Sequence, residues 1–150
     1  QYTDTKGSFT EYAYRVLGFE NMSSTLVNGQ EQPSKEAICD FNPDVFVMGG
    51  IYQRKHVNDI KTTEPFTNLD AVKNNQIYTI PMGLTQMEQL NALTPVFFYD
   101  QANKLYPEIF NFDVKSSIKS SVKEYFGTDI SDTQVQYMLD GLNPEGGELY

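Results

Sequence analysis

The sequence predicts an α/β fold: a small, mainly parallel sheet flanked by helices, with further helices packed alongside after the last strand. Three stretches carry that expectation. In residues 33–50 a short amphipathic helix, with Ser34 as N-cap and Ala37, Ile38 and Phe41 on one face, is stopped by Asn42-Pro43 and followed by Val45-Phe46-Val47-Met48. An apolar run without alternation implies a strand covered on both faces, as parallel strands between helices are, and this one ends in Gly49-Gly50. The second stretch, Gln76 to Pro81, alternates, is rich in β-formers, and also runs into a glycine-bearing loop, Met82 to Met87. The third, from Thr94 onward, has helical period throughout. Ligands of open α/β sheets sit beyond the carboxyl ends of the strands, so the loop Gly49 to His56 is the first candidate for function.

Taken in order, Ser8 to Leu17 reads as a helix in which Ser8 and Glu11 form a capping box. Phe9, Tyr12, Ala13, Val16 and Leu17 hold its apolar stripe, and Gly18 ends it. Asn21 to Gln32 is a polar loop with room for a short strand at Thr25-Leu26-Val27. Ile51 to Thr63 is polar and weakly periodic, and Glu64-Pro65 ends whatever helix forms there. Thr67 to Lys73 is a helical turn closed by Asn74-Asn75. Thr94-Pro95 supplies a cap and an N1 proline for a helix running to Leu105-Tyr106, where Pro107 stops it. Val114, Ile118, Val122 and Phe126 recur every four residues before Gly127, with Lys115, Lys119 and Lys123 on an adjacent row. Ser131 and Gln134 box the start of the last helix, whose Val135, Met138, Leu139 and Leu142 face inward. Residues 1–142 thus read as one α/β unit and 143–150 as a Pro/Gly/Glu tail.

A chain of 150 residues is one domain of ordinary size, able to bury roughly 70% of its unfolded surface. Its net charge of −9, from 11 Lys and Arg against 20 Asp and Glu, argues against a nucleic-acid partner, which needs a basic face. The single cysteine, Cys39, has no intrachain partner and suits a small buried hydrophobe beside Ile38. No apolar run of about 18 residues is present. The opening Gln1 to Gly7 has neither a cap nor a starter methionine, so the chain reads as cut from something longer.

The one histidine, His56, lies in Tyr52-Gln53-Arg54-Lys55-His56, where two adjacent cations and an imidazole meet past a strand end. Arg and Lys placed there suit an anionic ligand, the arginine through its bidentate fork, and Tyr52 can stack on it. The plainer alternative is a solvated loop. As a protein-built metal site the segment is poor, since a closed zinc site needs four donors. No phosphate-cradling loop, nucleophile elbow or dinucleotide fingerprint occurs, and no catalytic residue is assigned. Asp129 and Asp132 read as helix-cap carboxylates, the lysine row as a solvated face, and Phe97, Phe98 and Tyr99 as core.

Six stretches, in order, carry a resemblance. They are Gly7-Ser8-Phe9 with Leu17-Gly18-Phe19-Glu20-Asn21; Ser34-Lys35-Glu36; Asn42-Pro43-Asp44-Val45-Phe46-Val47; Asn68 through Pro81; Leu105-Tyr106-Pro107-Glu108-Ile109-Phe110; and Tyr125-Phe126-Gly127-Thr128-Asp129-Ile130-Ser131-Asp132. Together they resemble the C-terminal lobe of the metal-chelate substrate-binding proteins of ABC importers, which carry iron-siderophores, haem and cobalamin. The resemblance implies two Rossmann-like lobes joined by one long helix, with the other lobe and that helix before Gln1. It implies ligand contacts in the loops Asp4 to Phe9, around Gln30, Gly49 to His56 and Met82 to Met87, hence at Gln30, Tyr52, Arg54, Lys55, His56, Met82 and Gln86. It also places on Glu36 the carboxylate that docks into an arginine pocket of the permease. Cobalamin binders of that family place a tryptophan where this chain has Gln30 and Glu31, which lowers cobalamin among the ligands. Tyr52, Arg54 and Lys55 suit an anionic iron chelate, or a metal oxyanion such as molybdate.

The resulting expectation is a monomeric, extracytoplasmic binding lobe, in the periplasm or lipid-anchored at the bacterial surface. It performs no chemistry, holds no cofactor of its own, and presents an iron chelate (alternatives haem, cobalamin, molybdate) to a dimeric ABC permease. The rivals are a flavodoxin-like enzyme or metallocluster-assembly domain using the same strand-end loops, and a plain interaction module.

Overall fold

The computed structural model describes residues 3–4, 6–24 and 32–150. Seven α-helices and two strands are described, in the order α1 (Phe9–Val16), α2 (Lys35–Phe41), β1 (Phe46–Met48), α3 (Gln53–Thr62), α4 (Asp70–Lys73), β2 (Ile77–Thr79), α5 (Thr94–Leu105), α6 (Val114–Phe126) and α7 (Asp132–Leu139). The two strands pair in parallel, which makes the fold α/β, as the sequence predicts. No described helix is long and apolar enough to cross a membrane. The suggested strand at Thr25-Leu26-Val27 lies outside the described residues. The chain clusters into two compact units, one of Gln1–Met48 with Lys55–Tyr78 and one of Gly49–Arg54 with Thr79–Tyr150.

In the first unit, Ile38, Ile60, Phe66 and Leu69 form a buried cluster against which Met22, Cys39, Phe46, Met48, Val72 and Ile77 pack. Each fully buried side chain of this kind stabilises the fold by about 1.5–3 kcal/mol. Cys39 is free and half-buried at the edge of that cluster. Ser34 caps α2 by accepting from Ala37 N, and Asn42 ends it in the left-handed region at φ 45. The Asn42 side chain then donates to Asp70 at 3.0 Å and accepts from the Asp70 amide at 3.4 Å, tying the end of α2 to the start of α4.

Several expectations are corrected here. Ser8 does cap α1, but the Glu11 side chain does not return to close a box. It accepts instead from Gly7 N at 3.3 Å and the Ser24 hydroxyl at 3.4 Å. Burying that carboxylate turns the inward face to Thr10, Glu11, Ala13 and Tyr14, and leaves Tyr12 and Val16 of the anticipated stripe exposed. Phe41 is likewise exposed. The β1 residues are half-buried rather than covered on both faces, because the described sheet has two strands and each has an open edge. The segment read as a loop to His56 is a loop only to Tyr52; from Gln53 it is α3, supported by a Lys55–Asp59 pair at i,i+4 and by Thr62 bonding back to Asn58.

In the second unit α6 packs against α5 and α7. Ile118 and Val122 are fully buried while Phe126, the last residue of the same stripe, is exposed. The Ser131/Gln134 capping box and the Gly127 C-cap are present as anticipated, and Asp113 is a further N-cap, accepting from Ser116 N. Thr94 is not the cap of α5. That position is Leu93, and the Thr94 hydroxyl accepts from Asn91 N and donates to the Gln89 carbonyl, closing the turn before the helix. Asp132 and Asp129 pair with Lys119 and Lys123, each at 2.6 Å, so two members of the lysine row hold the α6–α7 loop. Phe97 is fully buried, whereas Tyr99 is exposed and stacks on Phe112 at 4.6 Å.

Candidate functional site

The loop leaving β1 is fixed from beneath by a glutamine. Gln53 is fully buried; its side-chain amide donates to the Ile80 carbonyl at 3.0 Å and its side-chain oxygen accepts from Ile80 N at 2.9 Å. One side chain thus imitates a strand partner and satisfies both backbone groups where the chain leaves β2. The fit is close, since a Cβ on Gly141, at φ +69, would lie 2.5 Å from the Gln53 amide nitrogen. The loop's amide is held by a carboxylate. Gly50 N donates to Glu88 at 2.9 Å, and that oxygen lies 2.9 Å from where a Cβ on Gly49 would stand.

Tyr52, at the end of this anchored loop, and Arg54, in the first turn of α3, are exposed to solvent. The Tyr52 ring lies against Tyr150, with centroids 4.9 Å apart and planes at 43°. Arg54 Nε donates to Glu148 at 3.1 Å, and its terminal nitrogen donates to the Asp140 carbonyl at 3.3 Å. Segment 143–150, the Pro/Gly/Glu tail, forms an organised turn around Asn143. The Asn143 side chain accepts from Glu145 N and Gly147 N and donates to the Glu148 carbonyl.

The other expected ligand residues separate into different environments. Met82 is buried, with its amide donating to the Met138 carbonyl at 2.7 Å, and Gly83 is closed over by Met138. Gln86 is half-buried and holds its own loop, accepting from the Gln89 side chain and, through its carbonyl, from Asn91. In α3, Lys55 is committed to Asp59. Burial pushes the half-exposed His56 below its ordinary 6.5, which keeps the imidazole neutral at physiological pH. Gln30 lies outside the described residues. Glu36 is exposed in the first turn of α2, where a backbone amide and the Ser34 hydroxyl hold its carboxyl below the usual range and hence ionised.

In the first unit a separate open groove of about 430 Å³ is lined by Lys6, Gly7, Glu11, Arg15, Phe19, Glu20 and Ser24. Its wall includes the Asp4 to Phe9 segment in part, and it carries two charges of each sign. Among the described residues, no three His, Cys, Asp or Glu side chains gather as metal ligands. Sequence reasoning passed over Gln53, Glu88, Glu148 and Tyr150. Only the last two had a local signal, the turn-forming Asn143-Pro144 and Gly146-Gly147 that hold them in place.

The sequence model of the periplasmic binding proteins matches residues 2–83, more than half of the chain. The chain belongs to the periplasmic binding protein family. Solved members of similar fold include a periplasmic solute-binding protein from Veillonella parvula, with a TM-score of 0.74 and 20% identity over 91% of this chain and 43% of that one. An ABC-transporter solute-binding protein from Sulfurospirillum deleyianum gives a TM-score of 0.72 and 19% identity, over 93% of this chain and 44% of that one. The molybdate periplasmic binding protein MolA of Haemophilus influenzae, solved with molybdate bound, gives 0.70 and 21%, over 86% and 40%. This family member therefore spans less than half the length of each of these structures. No curated protein sequence matches it.

Proposed function

We propose that this chain supplies one lobe of the solute-binding protein of an ABC importer, working outside the cytoplasm as a monomer in the periplasm or on a lipid anchor. It captures an iron chelate by charge and shape and delivers it to the dimeric permease without performing chemistry. The observation that carries the reading is the family match over residues 2–83, supported by the solute-binding proteins that share the fold. Tyr52 and Arg54 are the ligand contacts we favour, because a stacking ring on an anchored loop and a guanidinium on the first turn of α3 stand exposed past β1, where open α/β sheets meet their ligands. A chelated metal arrives already wrapped, so recognition needs hydrogen bonds and π surface rather than protein ligands to the metal. Glu36 is the docking carboxylate. It is exposed and ionised on the first turn of α2, and such a charge opposite arginines gives orientation and association rate more than affinity.

Molybdate is the second reading, favoured by the likeness to MolA. Calorimetric titration of the full-length protein with ferric siderophores, haem, cobalamin and molybdate separates the two. Saturable binding of a ferric chelate supports the first, binding of molybdate alone moves the assignment to the second, and binding of none refutes capture. In cells, Glu36→Ala leaves ligand affinity intact and impairs uptake; undiminished uptake would remove the docking role.

A further inference from the structure

Both exposed side chains at the strand end are already engaged by one short stretch of the same chain. Glu148 accepts from Arg54 Nε at 3.1 Å, and the ring of Tyr150 lies tilted against that of Tyr52. A carboxylate and an aromatic face are what an anionic, aromatic ligand would offer to the same two residues. The nearby backbone donor is taken in the same way, since Gly50 N is bonded to Glu88. The stretch is also seated rather than trailing. Asn143 N donates to the Gly147 carbonyl and Gly146 N to the Asn143 carbonyl, each at 2.9 Å, and Gly146, at φ +84, lies so near Tyr137 that a Cβ there would come within 2.7 Å of its ring.

We propose that segment 143–150 is a wall of the ligand site and that Glu148 is its charge-selecting residue. An anionic ligand competes with Glu148 for Arg54 and meets its like charge, whereas an uncharged ligand binds beside an intact pair. The inference rests on Tyr52 and Arg54 meeting the ligand, as proposed above. The pair is suited to displacement because its side chains are 45% and 44% exposed, so water and salt screen it. An ion pair of that kind sets a barrier of about two- to fivefold in affinity, enough to discriminate and too little to block.

The test titrates the full-length protein with two anionic probes, a trianionic ferric tricatecholate and molybdate, and one neutral probe, a ferric trihydroxamate. The proteins are the unaltered form, Glu148→Gln, Arg54→Ala and the double variant. Glu148→Gln should tighten an anionic probe by about two- to fivefold, leave the neutral probe unchanged, and lose its gain in the Arg54→Ala background or at high salt. If neither anionic probe binds more tightly to Glu148→Gln, the selecting role is overturned. When Arg54→Ala still weakens an anionic probe in that case, the ligand contact at Arg54 survives and only this inference falls. When both variants match the unaltered protein, both fall.

Discussion

The two glycine-bearing loops, one after β1 and one after β2, look alike in sequence and differ in the folded chain. The first, with the start of α3, puts Tyr52 and Arg54 at the surface over a buried Gln53, while the second tucks Met82 and Met87 inside and spends Gln86 on its own turn. A glycine after a strand therefore signals a turn, and what the turn does depends on the side chains that fill the space beside it. Glu88 fills that space at Gly49, and Met138 fills it at Gly83.

The comparison breaks most sharply at Gln53. Gln53→Leu leaves the Ile80 amide and carbonyl without their buried partners, and should cost about 3 kcal/mol in denaturant unfolding while freeing the loop that bears Tyr52. A loss under about 0.5 kcal/mol would mean that water replaces the amide without penalty. Gly49→Ala drives a methyl to 2.9 Å from the Glu88 carboxylate and should destabilise by roughly 1–2 kcal/mol, read as a lowered melting temperature. Ser131→Ala, at the opposite end of α7 from Met138 and Asp140, is the control; it removes the cap of α7 and should cost about 1 kcal/mol with ligand binding unchanged.

A pH effect belongs to the β2 side. Asp100 is buried on α5, where it accepts from Gln101 and Lys104, which also bond the Thr79 carbonyl. Burial raises its pKa above the ordinary 3.8, and Lys104 only partly offsets that. A carboxyl whose folded pKa is raised contributes stability that is fully present below its unfolded pKa and lost as pH rises through the folded one. Stability should accordingly fall with rising pH across that window, and Asp100→Asn should remove this component. An unaltered slope in the variant would assign the effect elsewhere. The smallest change is expected for Lys123→Ala, whose exposed pair with Asp129 is worth about 0.5 kcal/mol or less.

What could be read from the sequence was local. Ser34, Asn42, Gly127 and the Ser131/Gln134 box mark their helix ends because a cap is decided within four residues. The inward face of α1 escaped detection because Glu11 is buried by partners on either side of its helix, at Gly7 and Ser24. The start of α3 escaped because its polar surface conceals a Gln53 whose partner is Ile80. At the proposed site, Tyr52 and Arg54 stand out in the sequence by type and by their place past a strand end. Their engagement by Tyr150 and Glu148 does not, since it depends on how a turn some ninety residues later is seated.

The central claim is that the exposed edge past β1 meets the solute. Calorimetry of Arg54→Ala against the unaltered full-length protein, with the anionic probe that binds best, tests it most directly. Loss of a charge-assisted, two-pronged donor predicts affinity weaker by about ten- to a hundredfold, with the melting temperature of the unliganded protein unchanged within about 1 °C. Equal affinity in the two proteins would place the solute elsewhere.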